Sequence, residues 1–100
     1  MLYNIENSPE AELDIQNAAD YYDAISIELG NRFEDELYAT YKKITNNPQF
    51  YKYLSNKQER KLKCARLKSF PYIVIYRIHG NTIIVISFFN THCKPRYGQP

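Results

Sequence analysis

Ten basic side chains fall after residue 50: Lys52, Lys57, Arg60, Lys61, Lys63, Arg66, Lys68, Arg77, Lys94 and Arg96. Glu59 is the one acidic side chain there. Residues 1 to 50 reverse the balance, with ten acidic side chains against Arg32, Lys42 and Lys43. A half-chain of this kind attracts acidic peptide or nucleic acid if it forms one face. The plainer reading is a solvated face, or two halves that neutralise each other across the fold. Within the cationic half, His92 lies near Lys94, Arg96 and Tyr97, where an imidazole could move a proton. His79 precedes Gly80-Asn81 and reads as a side chain flanking a turn. Cys64 and Cys93 have no zinc-ligand spacing and read as free thiols that fill small spaces. No pattern for a metal or a cofactor stands in the sequence.

The 100 residues suit a single domain, 1–100, large enough to bury roughly two thirds of the surface of its unfolded chain. Apolar residues make up 44% and charged ones 24%, which argues against disorder. The N-terminus, MLYNIENSP, has neither a basic region nor an apolar run of the secretory kind. The longest apolar runs, Ile73 to Tyr76 and Ile83 to Ile86, are far too short to cross a bilayer. A cytoplasmic protein without a membrane partner is expected.

The elements that must position these side chains read as β-α-α-β-β-β, an α+β fold. Leu2 to Glu6 alternates loosely, as a short strand does. Ser8-Pro9 opens a helix near residues 9 to 24, with serine as N-cap, proline in the first turn and Glu10 and Glu12 at the positive end of the dipole. Ser26 caps a second helix, 27 to 46, in which Phe33, Leu37, Tyr41 and Ile44 repeat at four, four and three until Asn47-Pro48 stops it. The two helices form an antiparallel hairpin whose apolar stripes need a sheet. Residues 49 to 60 read as a loop with aromatic anchors. An antiparallel meander follows: KLKCARLK at 61 to 68, a central run Tyr72 to Ile78, the turn HGNT, and Ile83 to Phe89. Tyr72 and Tyr76, at strand spacing, are core residues in this reading. Period-two alternation divides the first meander strand into Lys63, Ala65 and Leu67 on one side and Cys64, Arg66 and Lys68 on the other; Ala65 and Leu67 should face the helices, leaving Cys64, Arg66 and Lys68 on the open face.

This order resembles the RelE/ParE superfamily of toxins from bacterial type II toxin-antitoxin modules, over nearly the whole chain. Its carriers are Ala11, Asp14-Ile15, Ala18, Tyr21-Tyr22, Leu29-Gly30 with Arg32-Phe33, Glu36-Leu37, Asn47-Pro48 and Tyr51. Ala65, Leu67-Lys68, Phe70-Pro71-Tyr72, Tyr76, Phe89, Thr91 and Pro95 complete the pattern. The Leu-Gly-x-Arg-Phe and Lys-x-Phe-Pro-Tyr elements look more like ParE, the plasmid stabilisation side, than like the RelE ribonucleases. The resemblance implies a growth-inhibiting toxin that binds DNA gyrase without catalysis and a small DNA-binding antitoxin with an acidic tail; a homodimer is one state open to the free chain. The charge map of the second half assigns target or antitoxin binding to Lys61, Lys63, Arg66, Lys68, Arg77, Lys94 and Arg96. The alternative the resemblance carries is a metal-independent ribonuclease acting on ribosome-bound mRNA, with Lys61, Arg66 and Lys68 around His92 and Tyr97 as proton-transfer groups. Ile73 stands where those ribonucleases carry an arginine, and Asn90 and Cys93 flank Thr91-His92 where relatives carry other residues. A third alternative is a non-toxic binding relative of the same fold.

Overall fold

The structure, a computed structural model, describes residues 3–53 and 61–92. Strand β1 (Asn4–Asn7) leads into helix α1 (Pro9–Ile25), and helix α2 (Ile27–Asn46) follows after a one-residue break. Strands β2 (Lys63–Arg66), β3 (Tyr72–His79) and β4 (Thr82–Asn90) complete the described order. The expected antiparallel meander is present, and β1 adds to it parallel to β4, so the sheet is mixed, in the order β1-β4-β3-β2. The first strand begins later than its alternation suggested, at Asn4.

Both helices start where the serines place them. The Ser8 hydroxyl accepts from the Ala11 N–H, and the Ser26 hydroxyl from the Leu29 N–H, satisfying donors that a helix start leaves without partners. Gly30, one turn into α2, lets the two helices meet closely: an added Cβ would lie 3.2 Å from the Asp23 Cα and closer still to its carboxylate.

Ser8 does a second job. Its N–H donates to the Val85 carbonyl and its hydroxyl to the Ile86 carbonyl, at 2.8 and 2.9 Å. Ile86 is the extra residue of a bulge in β4, where the register against β3 slips between Ile75 and Tyr76. The bulge changes which side chains share a face. Val85 and Phe88 both point toward the helices although three positions separate them.

The core lies between the hairpin and one face of the sheet. Phe33, fully buried, has the rings of Tyr22, Phe70, Tyr72 and Phe88 within 5.2 to 5.9 Å, in tilted or edge-on contacts that suit the ring quadrupole. Ile44, Ala65, Leu67, Val74, Tyr76 and Ile83 extend it. Leu37 and Tyr41 are half-buried at its margin. A polar chain closes that margin: the Tyr41 hydroxyl donates to Asn7 Oδ1 at 2.6 Å, and Asn7 Nδ2 donates to Glu12 at 2.9 Å. Burial, with the Glu12 charge nearby, pushes the Tyr41 phenol well above its ordinary range.

Candidate binding surface

The basic residues of the meander do not share one surface. Opposed residues of paired strands point to the same face, and β2 pairs Lys63 with Tyr76 and Ala65 with Val74. Lys63 therefore faces the helix side and is 6% exposed. Its ammonium donates to the Tyr51 carbonyl at 2.7 Å and lies 4.1 Å from the centre of the Tyr53 ring, a cation–π distance. Beside it the Tyr76 hydroxyl donates to the Pro48 carbonyl at 2.7 Å. Lys63 thus fastens the segment after α2 to the sheet. The expectation that it joins Arg66 on a binding face is corrected by the parity of the strand.

Arg66, Lys68 and Arg77 are exposed, as is Lys61, whose backbone takes a left-handed φ of 55°. Arg66 lies opposite Ile73, and Arg77 stands four residues farther along β3, so roughly 13 Å of strand separates them. On the face turned from the helices, the row Cys64, Ile75, Ser87 runs across three strands. Ile75 and Ser87 are 2% and 3% exposed. Burial pushes the Cys64 thiol up, with Arg66 pulling only partly against it, which leaves it a poor nucleophile.

Lys68 and Arg66 meet side chains that the charge count of the second half had not included. A cleft of about 440 Å³ between α2 and the outer edge of β2 is lined by Arg32, Asp35, Glu36, Lys43, Arg66 and Lys68, together with Ala39, Thr40 and Tyr51. Glu36 accepts the Ser69 N–H and so ties α2 to the chain just beyond β2. A signal was present: Arg32 and Lys43, eleven residues or about three turns apart, lie on one face of α2.

His92 is exposed in a turn after β4, its N–H donating to Asn90 Oδ1 at 2.8 Å. It borders a second cleft, of about 550 Å³, walled by Tyr21, Tyr22, Tyr72 and Phe88 with Asp14 and Asn17. His79 is exposed beside the turn at Gly80, as its sequence context indicated. Lys94, Arg96, Tyr97 and Cys93 lie outside the described residues, so the grouping of His92 with Tyr97 does too. Among the described residues no three His, Cys, Asp or Glu side chains are grouped as a metal site would require, and no helix is long and apolar enough to cross a membrane.

A helix hairpin thus packs on one face of a four-stranded sheet whose edge strand β2 carries the exposed Arg66. The chain belongs to the family of ParE toxins of type II toxin-antitoxin systems, parDE, whose model matches residues 5–92. No curated protein matches the sequence. Among solved structures the fold is similar to that of a chain from the chromosomal ParDE toxin-antitoxin system of P. aeruginosa. The TM-score is 0.73 at 15% identity, covering 89% of this chain and 96% of that one.

Proposed function

We propose that the chain arrests growth in the cytoplasm by binding DNA gyrase as a protein ligand, without catalysis of its own. A cognate antitoxin of the same module holds it inactive. Membership of the ParE family supports the toxin role, and the spread of the cations supports a contact mechanism. Stabilising a phosphorane requires donors that converge within hydrogen-bond reach of one phosphate. Here Lys63 is engaged with the Tyr51 carbonyl, Ile73 is apolar, and Arg66 and Arg77 stand a strand's length apart.

The test is DNA supercoiling by purified gyrase with increasing amounts of the protein, run beside cleavage of translated mRNA. Supercoiling should fall as the protein approaches the enzyme's concentration while the RNA stays whole, and induction in cells should cause filamentation. Cut mRNA with supercoiling untouched would return the ribonuclease reading. Unaffected growth with neither effect would leave a binding protein that is not a toxin.

A further inference from the structure

The cleft between α2 and β2 gathers four exposed cations: Arg32 and Lys43 from the helix, Arg66 from the end of the strand and Lys68 just past it. Asp35 and Glu36 stand among them, and four cations against two carboxylates leave a formal surplus of two positive charges. Glu36 is moreover turned onto the Ser69 N–H. Eleven residues of helix separate Arg32 from Lys43, about 16 Å at the rise of an α-helix. No single small anion reaches both. A polymer with a charge on every unit does, running along the cleft between the helix and the sheet. The other cleft, between α1 and the end of the sheet, has Asp14 on its wall and lies against a helix without a cation, so its field has the wrong sign for such a chain.

Aromatic rings at the same place narrow the polymer down. Tyr51 lines the cleft, and the Phe50 ring meets it edge-on, with centroids 5.2 Å apart and planes at 87°. Phe50 is 73% exposed and stands outside the core. Its main chain is nevertheless anchored on both sides: its own N–H donates to the Asn47 carbonyl, and the Lys63 ammonium holds the Tyr51 carbonyl. An anchored stretch of chain thus presents a bare ring to solvent beside the cations. Charge at every unit suits an acidic peptide or a nucleic acid alike, but only the nucleic acid also brings a flat aromatic face at every unit. In a duplex the bases stack on one another, so a single strand is the form with faces to give.

We infer that this cleft binds single-stranded nucleic acid, with phosphates of successive nucleotides against Arg32, Lys43, Arg66 and Lys68 and a base stacked on Phe50. Strands of DNA and of RNA share that chemistry. The cations line a path and do not converge on one phosphate, so the strand is held and not cut. Such binding is independent of whether gyrase is the target.

The test is the fluorescence anisotropy of labelled oligothymidylate and oligouridylate, each of about twelve nucleotides, titrated with the full chain over a range of salt. Affinity should fall with salt along a logarithmic slope of about −2 to −3, the value for three or four phosphates of a single strand. Arg32→Gln and Lys43→Gln should each weaken binding by roughly threefold to tenfold and flatten the slope by about 0.7. Arg77→Gln removes the same charge from the face of the sheet turned from the helices, and should change the affinity less than about twofold. Phe50→Ala should cost at least about fivefold for a strand with bases and nothing for an abasic strand of equal length. All four positions are exposed, and unchanged urea midpoints identify the losses as losses of contact. Equal losses from Arg77→Gln and Arg32→Gln would mean a diffuse attraction and overturn the site. An abasic strand bound as tightly as oligothymidylate overturns the base contact, and polyglutamate of equal charge bound as tightly overturns it in favour of an acidic peptide. A duplex bound more tightly than either strand, or no binding at low salt, overturns it as well. A preference for one of the two strands supports the site and says which nucleic acid it takes.

Discussion

Lys63 and Arg66 are three positions apart on one short strand, and that odd spacing sends them to opposite faces. Counting charges put both on a binding surface; parity separates them. A buried ammonium is tolerated only where it is hydrogen-bonded, and the Tyr51 carbonyl and the Tyr53 ring meet that need. Lys63→Met keeps most of the stem, removes the donor and leaves the Tyr51 carbonyl without it. The change should cost about 1 to 3 kcal/mol, the usual penalty of a buried group left without its partner. Urea unfolding measures that loss, and the affinity of the variant for its partner should stay close to that of the parent. A Lys63→Met chain as stable as the parent but unable to bind would return the residue to the binding face.

The helices were legible because their ends are written in residues with few alternatives: Ser8-Pro9, Ser26 and Asn47-Pro48 each mark a boundary that the structure keeps. The strands were legible as a meander, but not the bulge in β4. Ile83 to Phe89 is apolar at both parities except for Ser87, so no alternation shows where the register slips. Nor could the parallel pairing of β1 be read, since it depends on Ser8 meeting the Val85 and Ile86 carbonyls across the fold. The Tyr51 carbonyl was hidden for another reason, lying in a stretch without period. Two tyrosines report on these junctions. Tyr41 joins α2 to β1 and Tyr76 joins β3 to the chain after α2, and burial raises both phenols well above their ordinary value near 10. A raised folded value favours the protonated form, so the stability each contributes is whole below about pH 10 and is lost as the pH climbs from there, where only the unfolded phenol ionises. Denaturation midpoints should therefore fall above pH 10, and Tyr41→Phe and Tyr76→Phe should each flatten that fall. A slope unchanged by either variant would mean that both hydroxyls are as easily ionised folded as unfolded.

Across the whole molecule the two halves of the charge pattern are partly segregated and partly matched. Helix α1 carries Glu10, Glu12, Asp14, Asp20 and Asp23 and no cation, while Lys61, Arg66, Lys68 and Arg77 project from the meander and the chain beside it. At the cleft beside β2 they meet, with Arg32 and Lys43 adding to the positive side and Asp35 and Glu36 opposing it. Such a field steers an acidic partner over distances comparable with the screening length, about 10 Å at 0.1 M salt, and contributes less once apolar groups are in contact. Association with the antitoxin should therefore slow as salt rises, by a larger factor than dissociation quickens. Reversing Arg66 and Lys68 together, as Arg66→Glu and Lys68→Glu, should slow association at low salt and flatten its dependence on salt, since the field being screened is then weaker. Dissociation should change less, because the exposed Phe50 and the Ala39 and Tyr51 side chains of the cleft are untouched. Stopped-flow mixing over a range of salt concentrations separates the two rates. An association rate indifferent both to salt and to the double reversal would mean that the partner docks elsewhere, and that the division of charge between the halves serves the fold and not recognition.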